Sequence, residues 1–128
     1  VSEHSDHGPS REHEQAVRER LSARRSETRA QITALTREYE GIVEANALVA
    51  IDDEHDPEGS STAFERQHVA ALLDRARAHL DELDQALRRL ERGAYGRCEG
   101  CGEPIPSERL EVRPAATLCV RCAEARPR

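Results

Sequence analysis

The chain has 128 residues, a formal charge of −6, a mean hydropathy of −0.78 and only three aromatic side chains, Tyr39, Phe64 and Tyr95. With neither Trp nor Met it lacks the large apolar residues of a thick globular core, while a charged fraction of 34% rich in Arg and Glu suits long solvent-facing helices. No apolar run reaches the ~18–20 residues that span a bilayer and no apolar leader opens the sequence, so a cytoplasmic protein is expected; nineteen Arg with no Lys read as the codon bias of a high-G+C genome.

Residues 1–10 are polar, with Gly8-Pro9 as a breaker, and are expected to form a disordered tail. A long helical pattern begins after Ser10. Its seam runs through Val17, Leu21, Arg24, Thr28, Ile32, Leu35, Tyr39, Ile42, Asn46 and Val49. Steps of three and four residues alternate, as a coiled-coil seam requires, apart from two consecutive fours around Thr28 that mark a stutter.

Residues 50–61 carry an acidic focus. Asp52, Asp53, Glu54, Asp56 and Glu58 fall within seven residues without a single Arg, and Pro57 and Gly59 interrupt the helical pattern. Many acidic loops are merely soluble. Here Asp52 and Asp53 follow a helix C-terminus, where the dipole disfavours negative charge by ~0.3–1 kcal/mol each, and the five carboxylates repel one another. The cluster is therefore read as a tip that meets a divalent cation or a cationic partner surface. The same charge distribution argues against a grip on duplex DNA, which needs clustered cations, so no specific DNA sequence is expected to be read.

A second helix is expected from Thr62, where Thr62-x-x-Glu65 has the form of a capping box. Its seam is Val69, Leu72, Ala76, Leu80, Leu83, Leu87 and Leu90, with a stutter around Ala76 and Gly93 as a natural C-cap. Folding the chain back near residue 55 sets the two stutters opposite each other. Residues 11–92 are thus predicted to form a long antiparallel two-helix coiled-coil hairpin, mainly α, with its acidic tip at 50–61.

Residues 93–128 contain all four cysteines. Two residues separate Cys98 from Cys101 and Cys119 from Cys122, with seventeen between the pairs. That spacing is a strong signature of a four-cysteine zinc-finger domain. Four thiolates leave no open coordination position, so the ion is one structural zinc rather than a catalytic one. Gly96, Gly100 and Gly102 stand where the knuckles need positive φ or a close backbone approach. Two disulfides in a secreted mini-domain are the rival reading, disfavoured by the missing leader and by the absence of cysteine elsewhere; a redox-sensing role for the thiolates is a lesser alternative. Ile105 and Leu110, and after them Leu118, are expected to supply the small core beside the metal.

Together with the hairpin, Tyr95-Gly-Arg-Cys-Glu-Gly-Cys-Gly-Glu-Pro-Ile105 and Arg109-Leu-Glu-Val-Arg-Pro-Ala-Ala-Thr-Leu-Cys119, followed by Cys122, resemble the DksA/TraR family of RNA polymerase-binding factors. The resemblance is tight over 93–122 and one of architecture over the coiled coil. It implies that the hairpin enters the secondary channel of RNA polymerase, that the tip approaches the active-site magnesium, and that the zinc module rests on the channel rim. Such factors are not enzymes. The family tip is Asp-x-x-Asp-x-Ala; Asp53 and Asp56 match the aspartates, and Glu58 stands in place of the alanine. In some relatives the alarmone ppGpp binds basic residues of the second helix and of a C-terminal helix. Here the corresponding stretch, Leu80-Asp-Glu-Leu-Asp84, is acidic and little chain follows Cys122, so a weak response to ppGpp, or none, is expected.

The leading expectation is a monomeric, non-membrane transcription regulator that binds polymerase through Asp52, Asp53, Asp56 and Glu58. One alternative is a transcript-cleavage-type elongation factor whose carboxylates recruit a second magnesium to polymerase. Another is a zinc-capped coiled-coil adaptor whose seam is shared with a partner chain.

Overall fold

The computed structural model describes residues 11–52 and 58–126. The tail 1–10 and the tip residues Asp53 and Asp56 lie outside the described residues, whereas Asp52 ends the first helix and Glu58 begins the second. The described residues form four helices: α1 (Arg11–Asp52), α2 (Glu58–Glu91), α3 (Ser107–Val112) and α4 (Val120–Ala125).

α1 runs for 42 residues and opens with Glu12 and Glu14, carboxylates that complement the positive end of its dipole. α2 starts four residues ahead of Thr62, so the Thr62–Glu65 pair lies inside the helix and is not its cap. The physical reason is that Pro57 precedes Glu58. A proline there costs nothing, because the first-turn N–H groups have no intrahelical acceptor. Gly59 lowers helix propensity by about 1 kcal/mol without forbidding the turn. At its other end α2 closes as the sequence predicts. Gly93 adopts φ 75°, its N–H donates to Leu90 O at 3.1 Å, and the N–H of Ala94 reaches back to Arg89 O at 2.8 Å. Those two bonds are a Schellman motif, which requires a left-handed residue and so favours glycine.

The chain packs as two units, one joining α1 up to Arg25 with the chain from Asp81 onward, the other spanning Ser26–Leu80. In the first, Val17 and Leu21 of α1 pack with Leu83, Ala86 and Leu90 of α2 and with Ala115 of the cysteine module; Leu87 and Tyr95 lie against them. In the second, Leu35 packs with Val69, Leu73 and Ala76, flanked by Ile32, Tyr39, Ile42 and Leu72. Early α1 thus meets late α2 and the reverse, which makes the two helices antiparallel. Both stutter residues are buried, Thr28 at 4% and Ala76 at 6% exposure. The α2 seam departs from expectation at Leu72, Leu80 and Leu87, which are half-buried, while Leu73 and Ala86 are buried. Among the described residues no helix is long and apolar enough to cross a membrane.

Candidate metal centre

The first knuckle is a short hairpin. Arg97 pairs with Pro104 in an isolated antiparallel bridge, and Ile105 N–H donates to Gly96 O at 2.7 Å. Inside it the N–H of Cys98 donates to Glu103 O at 2.8 Å and that of Gly102 to Cys98 O at 2.9 Å. The chain reverses at Gly102, whose φ of 78° excludes most side chains. Gly100 is needed for a different reason: a Cβ there would stand 3.0 Å from the Cys122 sulfur.

The second knuckle opens a helix. Cys119 is the extended N-cap of α4 (φ −69°, ψ 167°), and Cys122 follows one turn later. A spacing of three residues across a helix start puts both sulfurs on one side. The strap that leads into it, residues 114–118, is held along its length. Tyr95 Oη donates to Pro114 O at 2.7 Å, Glu99 N–H to Thr117 O at 2.8 Å, and Arg109 Nε to Leu118 O at 2.8 Å.

These elements bring all four predicted cysteines together, with every sulfur within 4.8 Å of the others. Thiolates about 2.3 Å from a tetrahedral ion must stand about 3.8 Å apart, and Cys101 and Cys119 sulfurs are separated by 3.9 Å. The donor set and its spacing therefore fit a metal held by thiolates alone. Two backbone N–H groups point at the buried Cys98 sulfur, from Gly100 and from Cys119, each at 3.3 Å. The N–H of Cys119 foremost, opposed by burial and aided by the amides of Cys101 and Gly100, holds the Cys98 thiol down at about 6. Cys122 is pushed the other way because its hydrogen bonds to the Cys98 and Cys119 sulfurs keep its proton. Arg121 contributes a cation beside the cluster, its guanidinium hydrogen-bonded to Cys101.

Of the core residues expected beside the cluster, Ile105 is buried at 4% exposure, while Leu110 and Leu118 are half-buried. Pro114 and Ala115 are buried too and were not anticipated, since a strap has no periodicity to mark its inward face. Nor did spacing announce the bond from Arg109 to Leu118, although both fall inside the quoted motif. Arg25 Nε and Asp84 Oδ1, 2.5 Å apart across the two long helices, form a half-exposed ion pair beside the core of the same unit.

Residues 93–128 match the prokaryotic dksA/traR C4-type zinc-finger family. Over 69 residues the chain is 45% identical to the RNA polymerase-binding transcription factor DksA of Caulobacter vibrioides, covering 54% of this chain and 49% of that protein. It is 41% identical over 49 residues to the factor of the same name from Escherichia coli, covering 38% and 32% respectively. The chain thus spans about half, or less, of the length of these relatives. A solved structure of transcription factor DksA2 from Pseudomonas aeruginosa matches far more: 91% of this chain and 84% of that one, at 33% identity and a TM-score of 0.75.

Proposed function

The chain belongs to the DksA/TraR family, and from that premise we propose that it binds RNA polymerase as a non-catalytic regulator of transcription. In this reading the paired helices are a stiff carrier for the acidic segment between them, which enters the secondary channel of the enzyme. Asp53 and Asp56, with Asp52 and Glu58 beside them, are the contacts with polymerase. The observation that carries the reading is the match to the Pseudomonas aeruginosa factor, because it extends through both long helices as well as the cysteine module. The curated relatives add their names, which describe RNA polymerase binding.

Cys98, Cys101, Cys119 and Cys122 would hold one structural zinc, with sulfur spacing and donor type both suited to it. A bound zinc supplies no reaction here. It ties the two knuckles, and the chain's own contacts carry the rest: Ala115 docks the module on Leu21, Leu83 and Leu90, and Tyr95 fixes the strap at Pro114. Co-purification with core polymerase tests the reading. Wild-type chain should be retained, and the D53N/D56N double variant should keep its fold and zinc yet lose regulation of open promoter complexes. Full regulation by that variant would contradict the tip assignment.

A further inference from the structure

Arg109 has both backbone groups committed: its N–H donates to Pro106 O at 3.1 Å and its carbonyl accepts the N–H of Arg113 at 2.7 Å. Its half-buried side chain leaves α3, and Nε donates to the carbonyl of Leu118 at 2.8 Å. That carbonyl belongs to the same peptide unit as the N–H of Cys119, which donates to the Cys98 sulfur at 3.3 Å. A trans peptide is planar, with its C=O and N–H pointing in opposite directions. Fixing the oxygen therefore fixes where the hydrogen points. A charged donor on the oxygen also polarises the unit and strengthens its N–H as a donor.

We propose that Arg109 is a positioning residue for the metal, aiming the Cys119 N–H at the Cys98 sulfur through the Leu118–Cys119 peptide. The proposal rests on the reading of the four cysteines as a zinc site. Arg109 touches none of the sulfurs among the contacts described; its influence passes through one peptide plane that spans the two knuckles. Partners that orient a metal ligand from outside in this way typically carry about 10–100-fold in metal affinity. A role confined to packing would need only the aliphatic stem, and a role in general surface charge would be shared by Arg113, which lines the same cleft.

The test uses the full chain and its variants R109M, R109K and R113M, with zinc affinity read by competition against a chromogenic chelator. R109M keeps the stem and loses the donor, and should bind zinc about 10–100-fold more weakly. R109K, a cation without the fixed direction of the guanidinium, should fall between R109M and the parent, and R113M should match the parent. With ¹¹³Cd in place of zinc, the coupling from the metal to the Cys119 amide proton should be present in the parent and reduced in R109M and R109K. Equal affinity and intact coupling in R109M, or an equal loss in R113M, would overturn the proposal. Should R109M fail to fold, R109K indistinguishable from the parent in both readouts would overturn it. A parent that binds no zinc would strike the metal reading itself, whereas tight parent binding with an unaffected R109M strikes Arg109 alone.

Discussion

The Tyr95 hydroxyl donates to the carbonyl of Pro114 across 2.7 Å, joining residues nineteen apart in sequence. Tyr95 follows the Schellman turn that ends α2, and its ring lies against the cluster of Val17, Leu21, Leu83 and Leu90. Pro114 opens the strap into the second knuckle and is buried. One phenol therefore ties the base of the helix pair to the cysteine module. Y95F keeps the ring and orphans the carbonyl, and is expected to cost about 1–3 kcal/mol. Urea unfolding of the zinc-loaded chain measures it; an unchanged midpoint would show that water replaces the hydroxyl without loss.

Core substitutions should separate seam from surface. Leu21 and Leu83 are fully buried in one cluster, so L21A and L83A should each destabilise by about 2–5 kcal/mol. Phe64 is 78% exposed despite being the only phenylalanine. F64A should stay within about 0.5 kcal/mol of the parent, as thermal melts of the three variants would report.

The seam was legible because apolar residues recur at three and four: Val17, Leu21, Leu35, Val69, Leu83 and Leu90 are all buried. It blurred where neighbours compete. Leu72 and Leu73 are both apolar and adjacent, so spacing alone did not decide between them. Ala86 is fully buried, and Arg89 is only 6% exposed, yet small or charged residues carry no hydrophobic signal. The cysteine spacing gave the four sulfurs directly. Their outer contacts, Arg109 to Leu118 and Tyr95 to Pro114, depend on how the strap folds back, and nothing in a linear pattern encodes that. The start of α2 was misplaced because a capping-box motif at Thr62 outweighed the permissive effect of Pro57 on a helix start.

Removing the metal should loosen more than the knuckles. Ala115 packs in the same cluster as Leu90, so chelation is expected to lower helicity around Leu87 and Leu90, seen by circular dichroism and amide exchange. Full ellipticity after verified zinc loss would contradict this coupling. Acid should act in the same direction. The Cys98 thiol is depressed from 9.0 to about 6 in the fold, so its contribution to the metal-free fold is complete above pH 9 and disappears as pH falls through 6. Protons also compete for every thiolate ligand. Zinc release should therefore steepen below about pH 6, and retention independent of pH down to 4 would argue against the site.

Glu82 of α2 lines a cleft with Arg109, Arg113 and Arg126. The cations come from the module, while the helix contributes a carboxylate that repels phosphate. On the proposed polymerase complex, E82K is expected to bind labelled ppGpp several-fold more tightly than the parent. Equal binding by both would remove Glu82 as a ground for the weak response expected from the sequence.

The proposed mode of action is tested most directly by a photo-crosslinker placed at position 56 of the chain bound to core RNA polymerase. Crosslinks to the catalytic centre at the inner end of the secondary channel are the predicted result. Crosslinks confined to the outer surface of the enzyme, or no complex at all, would contradict it.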